Sequence, residues 1–194
     1  GTSVRDMAAD IAEAMDALGI KDACVFGASQ GGMIAQYLAI DRPELVRAML
    51  LSSSCCRMSD TAKRVFIRWT GLADAGDAEG IYREFFRNVY TVPMEPPEEL
   101  LRSAIPGQCR RFSVLTRAAL GFDSRDELKK ISCPVFVTGS SADRVLGNGA
   151  ASELARILGC PSYIYGSLGH AVYDEAPDHR DRILHFFDSV YSTE

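Results

Sequence analysis

The sequence predicts an α/β protein: a mostly parallel sheet with helices on both faces and a helical segment inserted between two of its strands. Three observations carry this. Short apolar runs alternate with amphipathic stretches at both ends of the chain, these runs close on Gly or Ser, and the middle third holds no strand-like run. With 194 residues, 47% hydrophobic and 24% charged, the chain can bury a sizeable core and is too apolar for a disordered segment. Its 21 Lys and Arg against 26 Asp and Glu give a formal charge of −5 with no basic block, which argues against nucleic-acid and anionic-membrane partners. No apolar run approaches the roughly 20 residues of a membrane-spanning helix.

Taken in order, Ser3 and Asp6 resemble a capping box, and Met7, Ile11, Met15 and Leu18 recur on one face of a helix that Gly19 closes. Ala23 to Phe26 reads as a buried strand ending at Gly27. A helix from about 31 to 40 stops before Arg42-Pro43, and 45–51 is the next strand, ended by Ser52-Ser53-Ser54. Helical patches then cover 61–69, 81–90, 97–104 and 110–120, broken by Gly71, Gly76, Pro93, Pro96 and Pro106. The earlier rhythm returns with a strand at 134–138, a helix at 150–158 and a strand at 162–165. An amphipathic helix at 178–191 follows, with Ile183, Phe186, Phe187 and Val190 inward. This divides the chain into core residues 1–56, a helical insertion 57–128 and core residues 129–194.

The six cysteines (Cys24, Cys55, Cys56, Cys109, Cys133, Cys160) show no CxxC pairing, and Cys24 and Cys133 lie in strand-like runs, so reduced thiols and a cytoplasmic location are expected. A vicinal Cys55–Cys56 disulfide would need costly geometry. The three histidines, His170, His179 and His185, sit toward one end and make no zinc set. No metal or organic cofactor is expected.

The strongest chemical signal is Gly27-Ala28-Ser29-Gln30-Gly31-Gly32, between a predicted strand and a predicted helix. A nucleophilic serine needs its oxygen exposed on a sharp strand-to-helix turn that leaves no room for bulky neighbours two residues either side. The helix behind it aims free amides at the reacting centre, with the Gln30 amide first among them. A second signal is His170, on the loop after the 162–165 strand, where a general base can swing over the serine. Third, Asp143 follows the 134–138 strand and can accept the histidine's other ring proton. Asp60 is the alternative acid. His179 and His185 read as packing or surface residues of the last helix.

Together these segments resemble the α/β-hydrolase fold superfamily, in its capped, esterase-like branch. The stretch from Val25 to Ser54 is similar to the nucleophile elbow with its helix and strand, Pro134 to Arg144 to the acid-bearing segment, and Gly169 to Pro177 to the histidine loop, with Glu175 and Pro177. The order Ser29, Asp143, His170 is the order this fold uses. The loop from Gly139 to Asp143 departs by about one extra residue.

The resemblance implies a serine hydrolase acting on a small-molecule acyl substrate: carboxylic esters, thioesters or lactones. It also implies a partial fold, since four strands and a helix normally precede the helix that begins here at Ser3, roughly 60 residues. One of those loops would supply the second oxyanion amide, so turnover of this chain is expected to be impaired. The Ala23–Phe26 strand would be left as an apolar edge, through which the chain is expected to self-associate or take up a completing segment. The insertion would cap the serine, with Trp69, Phe85, Phe86, Tyr90 and Met94 lining an acyl pocket or forming the cap's own core, and Met33 packing under the sheet. The rival reading is a non-catalytic scaffold that binds ligand without turnover.

Overall fold

The computed structural model describes residues 2–192. Helix α1 (Val4–Ala17) opens with the expected capping box: Ser3 Oγ accepts from the Asp6 N–H and Asp6 Oδ2 from the Ser3 N–H. It ends before Gly19, whose φ of +68° suits a residue without a Cβ. Strand β1 (Ala23–Ala28), helix α2 (Gln30–Asp41) and strand β2 (Val46–Ser52) follow. Next come four helices, α3 (Asp60–Asp74), α4 (Ala78–Val89), α5 (Glu98–Arg102) and α6 (Pro106–Leu120), before the chain re-enters the sheet. Pro106, expected to break a helix, instead begins one, in the first turn where proline is tolerated. The chain closes with β3 (Val135–Ser140), α7 (Ala150–Leu158), β4 (Ser162–Tyr165), a short α8 (Val172–Glu175) that the sequence pattern did not show, and α9 (His179–Tyr191).

The four strands form one parallel sheet in the order β1-β2-β3-β4. Register divides its two faces. Phe26, Leu50 and Phe136 align across three strands, and their face meets α9: Phe136 packs on Phe186 and Phe26 edges onto His179. On the other face Met49, Leu51, Val135 and Val137 join the main apolar core with Met33 and Leu38 of α2 and Leu154 of α7. Both faces being covered, β2 reads as an unbroken apolar run rather than an alternating one, and Met49, Leu50 and Leu51 are fully buried. Strand β1 lies at one edge, with Phe26 43% exposed. Among the described residues no helix is long and apolar enough to cross a membrane.

Candidate active site

Ser29 stands in the turn between β1 and α2, at φ 52° and ψ −121°, a conformation that costs a non-glycine residue energy and needs support. The support comes from the end of β2. The Ser29 N–H donates to the Ser52 carbonyl (2.8 Å), and the Ser54 hydroxyl and Gly32 N–H both donate to the Ser29 carbonyl (2.9 and 3.0 Å). Close approach explains the glycines, with one revision. A Cβ on Gly27 would fall 2.8 Å from the Gly31 carbonyl oxygen, and one on Gly32 would fall 2.6 Å from Ser54. Gly31, the second glycine of the motif, faces open space. The crowded partner of Gly27 is therefore Gly32.

The expected residues converge here. His170, on the loop between β4 and α8, brings Nε2 to 2.9 Å from Ser29 Oγ, and its Nδ1 lies 2.8 Å from Asp143 Oδ2. Imidazole and carboxylate are both buried, 2% and 4% exposed. Asp143 Oδ1 accepts from the Val145 and Leu146 N–H groups (2.8 and 2.9 Å), which fixes the carboxylate so that its second oxygen meets the histidine. A buried carboxylate so engaged holds the imidazole in the tautomer that leaves Nε2 free to accept a proton from Ser29. Asp60, the alternative acid, is the exposed first residue of α3. Gln30 leads α2, where the first amides lack intrahelical acceptors, and its side chain donates to the Leu115 carbonyl (2.8 Å).

A family model described as alpha/beta hydrolase fold matches residues 2–92. The structure superposes on MGS-M2, an alpha/beta hydrolase enzyme from a Medee basin deep-sea metagenome library, with a TM-score of 0.86 at 21% identity, covering 96% of this chain and 72% of that one. The chain has the alpha/beta hydrolase fold. A carboxylesterase structure from the thaumarchaeon Nitrososphaera gargenis superposes with a TM-score of 0.83 at 17% identity, over all of this chain and 75% of that one. In sequence the chain is 25% identical over 194 residues to a protein of Enterobacter cloacae provisionally named carbamate hydrolase RutD, covering 94% of this chain and 71% of that protein. Its class is that of the alpha/beta-hydrolase enzymes.

In this hydrolase the helices between β2 and β3 line an open apolar cavity of about 460 Å³, bounded by Ile81, Phe85, Phe86, Leu100, Phe112 and Leu115 among others. Two of the five expected lining residues, Phe85 and Phe86, belong to it. Trp69 does not: only 4% exposed, it packs against Phe66, Phe85 and Phe112 with ring centroids 5.2 to 6.0 Å away, as core of the inserted helices. Tyr90 stacks on Phe86 and donates its hydroxyl to Asp174 (2.9 Å), which together with burial raises its pKa. Met94 sits in a separate recess with Arg87, Glu95 and Arg144. The cavity's Leu115 carries the carbonyl that holds Gln30, so the wall of the cavity is tied to the turn bearing Ser29.

Of the two expected alternatives, packing or surface, His179 is a packing residue. Buried at 2% exposure, its Nε2 lies 3.0 Å from both Ser52 Oγ and Thr138 Oγ1, and burial holds its pKa below the ordinary value. His185 is exposed on α9. Cys55 and Cys56 are unpaired, and burial pushes both thiols up, Cys56 to about 11, so neither is a poised thiolate. Sequence reasoning missed Thr91, which lies against the His170 loop; the glycine before His170 is the one trace of that close approach.

Proposed function

We propose that this chain is a serine hydrolase that cleaves carboxylic esters, thioesters or lactones through an acyl-enzyme on Ser29. The observation that carries the reading is the unbroken line from Ser29 Oγ to His170 Nε2 at 2.9 Å and from His170 Nδ1 to Asp143 Oδ2 at 2.8 Å. In the first step the serine oxygen bonds to the acyl carbon as its proton passes to His170 Nε2. The carbonyl oxygen becomes anionic against the Gln30 amide at the positive end of α2. Collapse expels the alcohol or thiol, which takes the proton from His170 and leaves Oγ acylated. Water then adds to the acyl carbon, giving a proton to His170, and the acid departs as Oγ recovers that proton. The carbamate in the relatives' name fits the same sequence, with a carbamoyl group on Ser29. No step uses a cofactor.

Residues 57–128 would serve as a cap on a core made of 1–56 and 129–194, with the apolar cavity holding an apolar acyl or alcohol group of a small-molecule substrate. Six free cysteines support a reducing, cytoplasmic setting. The test is hydrolysis of p-nitrophenyl esters of graded acyl length. Release of p-nitrophenol that disappears in Ser29→Ala and His170→Ala supports the reading. Release that survives Ser29→Ala contradicts it, and a folded wild type that releases nothing favours a ligand-binding scaffold.

A further inference from the structure

The amides on both sides of His170 are held by one short segment of the inserted helices. The Gly169 N–H donates to Thr91 Oγ1 (2.7 Å), and the Ala171 N–H donates to the Val89 carbonyl (3.0 Å), where α4 ends. Contact is so close that a Cβ on Gly169 would lie 2.9 Å from Thr91 N, from the Tyr90 carbonyl carbon and from the Val89 oxygen. Thr91 is fixed in turn by Glu175: its N–H donates to both carboxylate oxygens (3.1 and 3.0 Å) and its hydroxyl to Oε2 (2.8 Å). A hydroxyl has one proton. Since Glu175 takes it, the Thr91 oxygen must present a lone pair elsewhere, and Gly169 is there to use it. Arg144, next to Asp143, grips the same segment through the carbonyls of Arg87 and Thr91 (both 3.2 Å) and of Tyr90. The loops of the acid and of the histidine thus share one anchor, and it lies outside the sheet.

We propose that Thr91 is a positioning residue for His170: its hydroxyl, aligned by Glu175, anchors the peptide ahead of the histidine, so that the inserted helices set the reach of the imidazole to Ser29. The proposal rests on Ser29 and His170 as the reacting pair. Thr91→Val keeps the volume but strands the Gly169 N–H and the Glu175 oxygen, letting the loop relax. Displacements of about 1 Å at a reacting group cost roughly 10²-fold.

The experiment compares wild type, Thr91→Val and Thr91→Ser by ester kinetics and by proton NMR of the hydrogen-bonded His170 Nδ1–H, with thermal unfolding alongside. Thr91→Val is expected to lose about 10- to 100-fold in kcat with KM changed less than about threefold, and to broaden or shift the Nδ1–H signal. Thr91→Ser is expected to restore both. An unaltered Nδ1–H signal and kcat in Thr91→Val would overturn the proposal, as would a loss that follows unfolding and is not recovered by serine. A wild type without turnover would instead refute the acyl-enzyme reading, and the NMR comparison would still decide whether Thr91 holds the imidazole.

Discussion

Alanine placed at Gly27 and at Gly31, one at a time, should have opposite effects although both glycines belong to the same motif. At Gly27 the new methyl would sit 2.8 Å from the Gly31 oxygen and the Gly32 Cα and 2.9 Å from the Gly32 nitrogen. All three are backbone atoms, so no side chain can rotate away and the first turn of α2 must shift by about half an ångström or more to regain ordinary contact. Overpacking of that kind costs about 1–3 kcal/mol, and for a chain of this size lowers Tm by about 2–12 °C. Because Ser29 starts that turn, its oxygen should leave its 2.9 Å contact with His170 Nε2, and labelling by a small fluorophosphonate should slow by roughly 10²-fold. At Gly31 nothing lies within 4 Å. Alanine there gains up to about 1 kcal/mol of helix stability, a rise in Tm of about 2–4 °C, with labelling close to wild type. Thermal unfolding and labelling rates on the two variants decide the matter. Equal damage from both, or tolerance of both, would refute the close-approach argument.

Three other outcomes are expected. Asp143→Asn should keep the Val145 and Leu146 bonds while turning an N–H₂ group toward His170, forcing the proton onto Nε2, and kcat should fall about 10⁴-fold with unchanged circular dichroism. His179 is held below its ordinary pKa by burial, so the fold favours its neutral form. Its share of stability is therefore full above about pH 6.5 and is lost as pH falls below that, and Tm against pH from 7.5 to 5 should drop more steeply in wild type than in His179→Gln. Parallel slopes would contradict this. Finally, β1 is an edge strand that leaves Phe26 43% exposed, and size-exclusion chromatography with light scattering should show self-association that Phe26→Lys weakens, whereas a monomer at all concentrations would rule out that edge as an interface.

Much of this architecture is legible in local pattern because local chemistry decides it. The alternation of apolar runs with amphipathic stretches gives a parallel sheet covered on both faces, and α1 is bounded by local features alone, the Ser3–Asp6 side-chain capping box at its start and the left-handed Gly19 after its end. Ser29, His170 and Asp143 could be found because each must stand at the end of a strand, and chain order places them there. What escaped depends on contacts distant in sequence. Trp69 looks like a pocket residue until Phe66 and Phe112 enclose it, and the roles of Gly31 and Gly32 depend on where Ser54 lies. The pairing of Thr91 with Glu175 and Gly169 joins residues about eighty positions apart through a few hydrogen bonds, which leave no periodicity to read.

The most direct measurement is mass spectrometry of the protein after brief, acid-quenched exposure to an activated ester, with peptide mapping of the adduct. An acyl group on Ser29, formed in wild type and absent from Ser29→Ala, is the result the account predicts. An adduct on any other residue, or one that persists in Ser29→Ala, would contradict it.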